Sequence, residues 1–152
     1  MTAVTGIVLA GGQGSRMGGV DKGLQPFRGR PMVAHAIERL EPQVDELLIN
    51  ANRNTDDYGR FGHRVIADEI AGFAGPLAGF ERGLTHAAGA LVATVPCDSP
   101  FLPRDLVARL HAALEGAKAE LAVVEVPFDD EPDAFRNINT REELASLEPP
   151  ER

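Results

Sequence analysis

Apolar positions along the chain switch between two spacings. Thr5 to Ala10 is a continuous apolar and β-branched run that stops at a glycine, the pattern of a strand buried on both faces of a parallel sheet. Met32, Val33, Ala36, Ile37 and Leu40 then recur at helical spacing, with Pro31 placed at a first helical position. Glu46 to Asn50 reads as a second strand and Arg64 to Ile66 as a short third. Leu77, Phe80, Leu84 and Ala87 form another apolar helical face, and Leu91 to Val95 a further inner strand. Pro103 opens a helix whose buried side is Leu106, Val107, Leu110, Ala113 and Leu114. Leu121 to Val126 follows as strand, Phe128 to Asp133 as an acidic turn region, and Thr140 to Leu147 as a short helix. Thr140 and Glu143 fit a capping box, which satisfies two helix-end N–H groups reciprocally. Strands alternating with helices predict an α/β fold: one mainly parallel sheet, right-handed crossovers and helices on both faces. No repeat or linker divides the chain, so residues 1–152 are expected to form a single domain.

Composition narrows the function. The formal net charge is −8, which disfavours long-range attraction to nucleic acid or to an anionic membrane. That charge is uneven. Residues 1–40 carry Arg16, Lys22, Arg28, Arg30 and Arg39 against Asp21 and Glu38, so an anionic ligand is expected at this segment. Cys97 is the single cysteine and the N-terminus has no charged region followed by a long apolar core, from which a cytoplasmic location is expected. The apolar runs are too short to cross a bilayer.

The segment from Ile7 to Lys22, IVLAGGQGSRMGGVDK, carries the strongest chemical signal. Glycines at 11, 12, 14, 18 and 19 let backbone N–H groups approach phosphate oxygens, while Arg16 and Lys22 supply positive charge. Ordering so many glycines costs entropy that a plain surface turn seldom bears. Two familiar phosphate loops do not fit. Met17 stands where the dinucleotide fingerprint needs its third glycine, and Lys22 lies between Asp21 and Gly23 rather than in the Gly-Lys-Ser/Thr of a P-loop.

In open parallel sheets, ligands gather beyond the carboxyl ends of the strands. The second strand ends at Asn50, the third is followed by Asp68, and the strand after it runs into Pro96-Cys97-Asp98. A carboxylate facing a bound triphosphate is repulsive unless a hard cation intervenes, and Mg²⁺ commonly bridges carboxylate to phosphate. Asp98 is the first candidate for that ligand. Duller readings stay open: Asp98 as a turn former before Pro100, Asp68 and Glu69 as a solvated pair, Asn50 as a strand-ending turn residue. Cys97 reads as a small buried hydrophobe rather than a nucleophile. The four histidines show no metal-ligand spacing.

With those residues in view, the chain resembles the molybdenum cofactor guanylyltransferases. The likeness runs through Leu9 to Lys22, Gly29-Arg-Pro31, Asn50-Ala-Asn-Arg53, Asp68, Gly75-Pro-Leu-Ala-Gly79, Pro96-Cys-Asp98 and Phe135-Arg-Asn-Ile-Asn-Thr140. The resemblance implies a Rossmann-like nucleotidyltransferase fold that transfers GMP from GTP to molybdopterin with Mg²⁺. It places Leu9, Ala10, Gly11 and Gly12 at the guanine end and the loop, Lys22 on the phosphates, and Asn50 and Asp68 along the nucleotide. It places Asp98 on Mg²⁺, Arg16 between triphosphate and acceptor, and Asn137 and Asn139 on the pterin side. Gly11 preceding Gly12 favours GTP over CTP, because the similar cytidylyltransferases tend to carry alanine first. Molybdenum-insertion and molybdoenzyme-delivery proteins are the implied partners. One departure stands out: the acceptor-side segment near residues 122–127 is shorter than in the family. A nucleotide-binding partner without transfer activity, or a transferase acting on another phosphorylated acceptor such as a sugar phosphate, are the alternatives this leaves.

Overall fold

The computed structural model of the chain describes residues 2–10, 21–68, 76–117 and 125–148. In chain order its elements are strand β1 (Val4–Leu9), the short strands β2 (Pro26–Phe27) and β3 (Arg30–Pro31), and helix α1 (Met32–Leu40). There follow β4 (Glu46–Asn50), α2 (Thr55–Gly59), β5 (Arg64–Ile66), α3 (Pro76–His86), β6 (Leu91–Pro96), α4 (Leu106–Gly116) and α5 (Arg141–Leu147). Among the described residues, β5, β4, β1 and β6 pair in that order into a parallel sheet, and β2 pairs antiparallel with β3. The chain is therefore α/β, as its alternating pattern predicts.

Parallel pairing brings the strand ends level. Leu9 lies opposite both Asn50 and Pro96, and Asn50 lies opposite Ile66. The ladder runs on past them, with Ala10 N–H donating to the Asn50 carbonyl (2.8 Å), Ala51 N–H to Ile66 (2.9 Å) and Cys97 N–H to Leu9 (3.1 Å). The chain leaves β1 for one side of the sheet and returns to the other through β6, so the crevice between the carboxyl ends of β1 and β6 is the switch point where such sheets bind ligands.

Alternate residues of each strand serve opposite faces. Val8, Ile49 and Val95 pack with Val33, Ala36, Ile37 and Leu40 of α1 and Leu106 and Val107 of α4. Ile7, Leu48 and Ile66 form a smaller cluster on the other face, under α3. A third cluster of Phe27, Met32 and Ile138, joined by Leu144 and Leu147, fastens α5 to the hairpin of β2 and β3. Arg28 lies over the Phe27 and Phe101 rings and donates to the Leu147 carbonyl, closing the carboxyl end of α5.

Several expectations need correction. The face of α3 that meets the sheet is not its leucines: Leu77 and Leu84 are 75% and 64% exposed. Ala78, Gly79 and Gly83 are buried instead, and a Cβ on Gly83 would stand 2.1 Å from Ile7 Cδ1. Small residues let the helix backbone lie against the strands, and the large ones point outward. Ala87 falls one residue beyond the helix. In α4 only Leu106 and Val107 are buried, while Leu110 and Leu114 are exposed, because the helix is anchored at its start, where Gln43 Oε1 accepts from Val107 N–H (2.9 Å). Pro103 precedes that helix by three residues rather than opening it, and Pro31 occupies the N-cap of α1 rather than its first turn. Of the strand expected over Leu121 to Val126, residues 121–124 lie outside the described residues, and Glu125 and Val126 have no regular structure. The capping box at α5 is present: Thr140 Oγ1 accepts from Glu143 N–H and Glu143 Oε2 accepts from Thr140 N–H, both at 3.1 Å. No helix among the described residues is long and apolar enough to cross a membrane.

Gly83→Ala tests the seam under α3. Intrinsic helix propensity favours alanine by about 1 kcal/mol, yet the methyl must displace the fully buried Ile7. The expected result is a net loss of about 1–2 kcal/mol in urea unfolding; a gain would show that α3 is not seated on its glycines.

Candidate active site

Two polar groups flank the carboxyl end of β1. The first hangs from β4 and β5. Asn50 is 2% exposed and its Nδ2 donates to Asp68 Oδ1 (3.0 Å). Asn52 clasps the same carboxylate from the other side, Nδ2 donating to Asp68 Oδ2 (2.7 Å) while its Oδ1 accepts from Asp68 N–H (2.8 Å). Asp68 is thus a fixed acceptor rather than a member of a solvated pair. Gly79 of α3 leaves the space this requires, since a Cβ there would stand 2.8 Å from Asn50 Oδ1 and 2.9 Å from Leu9 Cδ2. Leu9, which ends β1, and the buried Ala10 after it, the expected start of the guanine pocket, lie beside this group.

The second group joins the end of β6 to the C-terminal segment. Lys22 starts a short 3₁₀ turn, Lys22–Leu24, and its Nζ reaches across to Asn139 Oδ1 (2.9 Å) and to within 3.7 Å of Asp98 Oδ2. The Asp98 carbonyl accepts from Ile138 N–H (3.0 Å), and the Ser99 hydroxyl donates to Asn137 Oδ1 (2.5 Å). Glu143 Oε2 accepts from Asn139 N–H (2.7 Å) as well as from Thr140, so the capping box that starts α5 also fixes Asn139. Lys22 can only donate, which assigns the Asn139 atom it touches as oxygen and turns the amide NH₂ away as a donor.

Sequence reasoning separates Lys22, on the phosphates, from Asn139, on the acceptor; the structure puts them in contact. Asn137 is held on Ser99 rather than on Lys22. Arg16, Gly11 and Gly12 lie outside the described residues. Asn52 and Ser99 are the neighbours that pattern alone does not single out as site residues. Asn52 follows β4 in a bend, outside any strand, so no periodicity marks it.

Electrostatics distinguish Asp98 from the rest. Burial pushes its carboxyl above the usual carboxylate range, with Lys22 pulling more weakly the other way. A carboxylate held in this state is ready for a cation. Burial likewise pushes the Cys97 thiol up, foremost among the causes, so Cys97 stays a thiol and not a nucleophile. Among the described residues no three His, Cys, Asp or Glu side chains converge as a preformed metal site.

The chain is similar to several known proteins. The family model described as "MobA-like NTP transferase domain" matches residues 6–150. A molybdenum cofactor guanylyltransferase from Ralstonia pickettii is 56% identical over 131 residues, 86% of this chain and 63% of that one. One from Methylibium petroleiphilum is 60% identical over 124 residues, 82% of this chain and 61% of that one. The chain thus spans less than two thirds of the length of these relatives. One from Cupriavidus metallidurans is 44% identical over 188 aligned positions, 93% of this chain and 92% of that one. Two solved structures share the fold. A CMP-2-keto-3-deoxy-manno-octonic acid synthetase complexed with CTP matches at TM-score 0.61 and 21% identity, covering 75% of this chain and 48% of that one. A Methanothermobacter nucleotidyl transferase matches at TM-score 0.57 and 23% identity, covering 74% and 57%.

The raised pKa of Asp98 has a sign that stability measurements read. A carboxyl that holds its proton more tightly when folded makes ionisation oppose folding, so the loss grows as pH climbs from the ordinary carboxylate range through the raised value. Asp98→Asn is therefore expected to raise the urea midpoint at pH 7 and to lose that advantage near pH 4. A midpoint lowered at pH 7 would mean that the Lys22 contact outweighs burial.

Proposed function

The chain belongs to the MobA-like NTP transferase family, and on that premise we propose that it transfers GMP from GTP to molybdopterin and releases pyrophosphate. The observation that carries this reading is the contact between Lys22, Asp98 and Asn139, which sets a cation, a buried carboxylate and an amide from the C-terminal segment together at the switch point.

The proposed reaction needs positioning and charge neutralisation more than a covalent nucleophile. A phosphate oxygen of the acceptor forms a bond to the α-phosphorus of GTP, the α–β bridging P–O bond breaks, and its electron pair leaves with pyrophosphate. The acceptor oxygen is already anionic, so no side chain has to remove a proton. Lys22 stabilises charge that grows on the phosphates, assisted by Arg16 and the amides of Gly11 and Gly12 if they act as the family resemblance implies. Asp68, held by Asn50 and Asn52, keeps lone pairs for hydroxyl or ring N–H donors of the nucleoside. The Asn137 and Asn139 amides, with their oxygens engaged by Ser99 and Lys22, offer N–H donors to the acceptor.

The donor set suits Mg²⁺. This ion keeps several waters and takes one or two carboxylates plus substrate phosphates, and Asp98 offers one partly desolvated carboxylate with no cage of further acidic, His or Cys side chains among the described residues. Bound there, Mg²⁺ would act as a Lewis acid on phosphate oxygens.

The relatives' length bears on the acceptor. An alignment of 188 positions exceeds the number of residues in this chain, so it passes over a stretch of the relative that has no counterpart here. This supports the reading that the acceptor side near residues 122–127 is shortened within a single domain, and it keeps a second reading alive: a GTP-binding partner without transfer activity.

Incubation with GTP, Mg²⁺ and molybdopterin is expected to release pyrophosphate and to yield the guanine dinucleotide. None is expected with sugar phosphates as acceptors. Lys22→Ala should weaken GTP binding about 10-fold or more, and Asp98→Ala should cut turnover about 100-fold. Tight GTP binding with no pyrophosphate from any acceptor would establish the second reading. Failure to bind GTP would overturn both.

A further inference from the structure

Asp21 precedes Lys22, and its surroundings are unusual for an acid beside a phosphate site. Its side chain is 8% exposed. Oδ1 accepts from the Tyr58 hydroxyl (2.5 Å) and from Gly23 N–H (3.2 Å), Oδ2 accepts from Asn54 Nδ2 (3.0 Å), and Arg53 Nε stands 4.0 Å from Oδ2. A carboxylate so fully engaged is turned inward, away from any ligand. It acts on the backbone that follows it.

Three features converge on the same purpose. Tyr58 is fully buried in the main core, where a phenylalanine ring would fill the same space, so the hydroxyl needs its own justification: unbonded, it would be buried at the cost of its lost hydration. Asn54 stands at the N-cap of α2 in a left-handed conformation (φ 52°), yet its side chain makes no cap hydrogen bond and is spent on Asp21 instead. Gly23 has no room for a side chain, since a Cβ there would lie 2.4 Å from the Tyr58 hydroxyl oxygen. Helix α2, in the crossover between β4 and β5, is built around a grip on residues 21–23.

We propose that Tyr58 is a positioning residue for Lys22: its hydroxyl fixes the Asp21 carboxylate, and Asp21 fixes the turn from which Lys22 reaches the phosphates. The proposal rests on the reading of this site as a GTP site. Lys22 has a long flexible stem, and ordering such a side chain before the ligand arrives removes an entropic loss from binding. Asp21 supplies that order at the root of the stem, and Asn139 and Asp98 supply it at the tip. Burial, with Asp21 next in effect, pushes the Tyr58 hydroxyl above its ordinary range, so it remains a donor across the working pH.

The test is a double-mutant cycle with two readouts, run on the full chain. Calorimetry measures GTP binding in wild type, Tyr58→Phe, Lys22→Ala and the double variant. We expect Tyr58→Phe to weaken GTP roughly 5- to 20-fold in the wild-type background and to add nothing in the Lys22→Ala background. Equal losses in both backgrounds, or none in either, would overturn the proposal. The second readout needs no nucleotide. Lys22 and Lys118 are the two lysines of the chain, so mass spectrometry after brief acetylation gives the labelling of Lys22 with Lys118 as internal standard. Tyr58→Phe is expected to raise that ratio several-fold, and an unchanged ratio would overturn the proposal. If wild type bound no GTP, the functional reading would fail, while the labelling ratio would still decide whether Tyr58 holds Lys22.

Discussion

Parallel pairing of β1 with both β4 and β6 is the constraint on which the rest of the structure depends. One register sets Leu9 level with Asn50 on one side and Pro96 on the other, so residues that follow three separate strands arrive at one edge without further instruction. Slipping either neighbour by one residue would turn alternate side chains to the opposite face. A slip of β4 would set Leu47 or Ile49 where Leu48 belongs, and it would carry Asn50 out of line with Leu9. The fully buried Ile7, Val8, Leu48 and Ile49 oppose such a slip, and the apolar core thereby enforces the polar geometry.

That edge is stabilised from within and strained at one point. Asp68 has amide partners for both oxygens, whereas Asp98 sits where burial disfavours its charge and Lys22, with a backbone N–H, offsets this only in part. The two carboxylates follow strands of the same sheet but suit different work. The first is a fixed hydrogen-bond acceptor, and the second carries charge that a cation would relieve. Functional sites commonly hold such unrelieved charge at the expense of stability.

Much of this was legible in the chain. The strands Glu46–Asn50 and Arg64–Ile66 have the bounds that their apolar runs suggest, and the capping box of α5 was visible from Thr140 and Glu143. Asn50, Asp68 and Asp98 were marked by their places directly after strands. The buried face of α3 was not legible, because a hydrophobic pattern registers side chains and Gly79 and Gly83 have none to register. Nor were the partners of Lys22, Asp21 and Asn137. Periodicity tells which way a residue faces within its own element, but the choice between Asn137 and Asn139 as the Lys22 acceptor depends on how the C-terminal segment crosses the end of β6. Tyr58 gave no signal at all, since an aromatic residue in a short polar segment reads as packing.

The Lys22–Asn139 hydrogen bond joins residues 117 positions apart. Contacts of such separation close late, because the chain between them must first lose its freedom. During synthesis, β1 and α1 emerge from the ribosome long before Asn139 exists, so Lys22 waits without its amide partner until the sheet is assembled and α5 has docked on Phe27 and Met32. A half-made chain holds Lys22 but not Asn139, and the edge where the two meet takes its final form only after the C-terminal segment has been laid across β6.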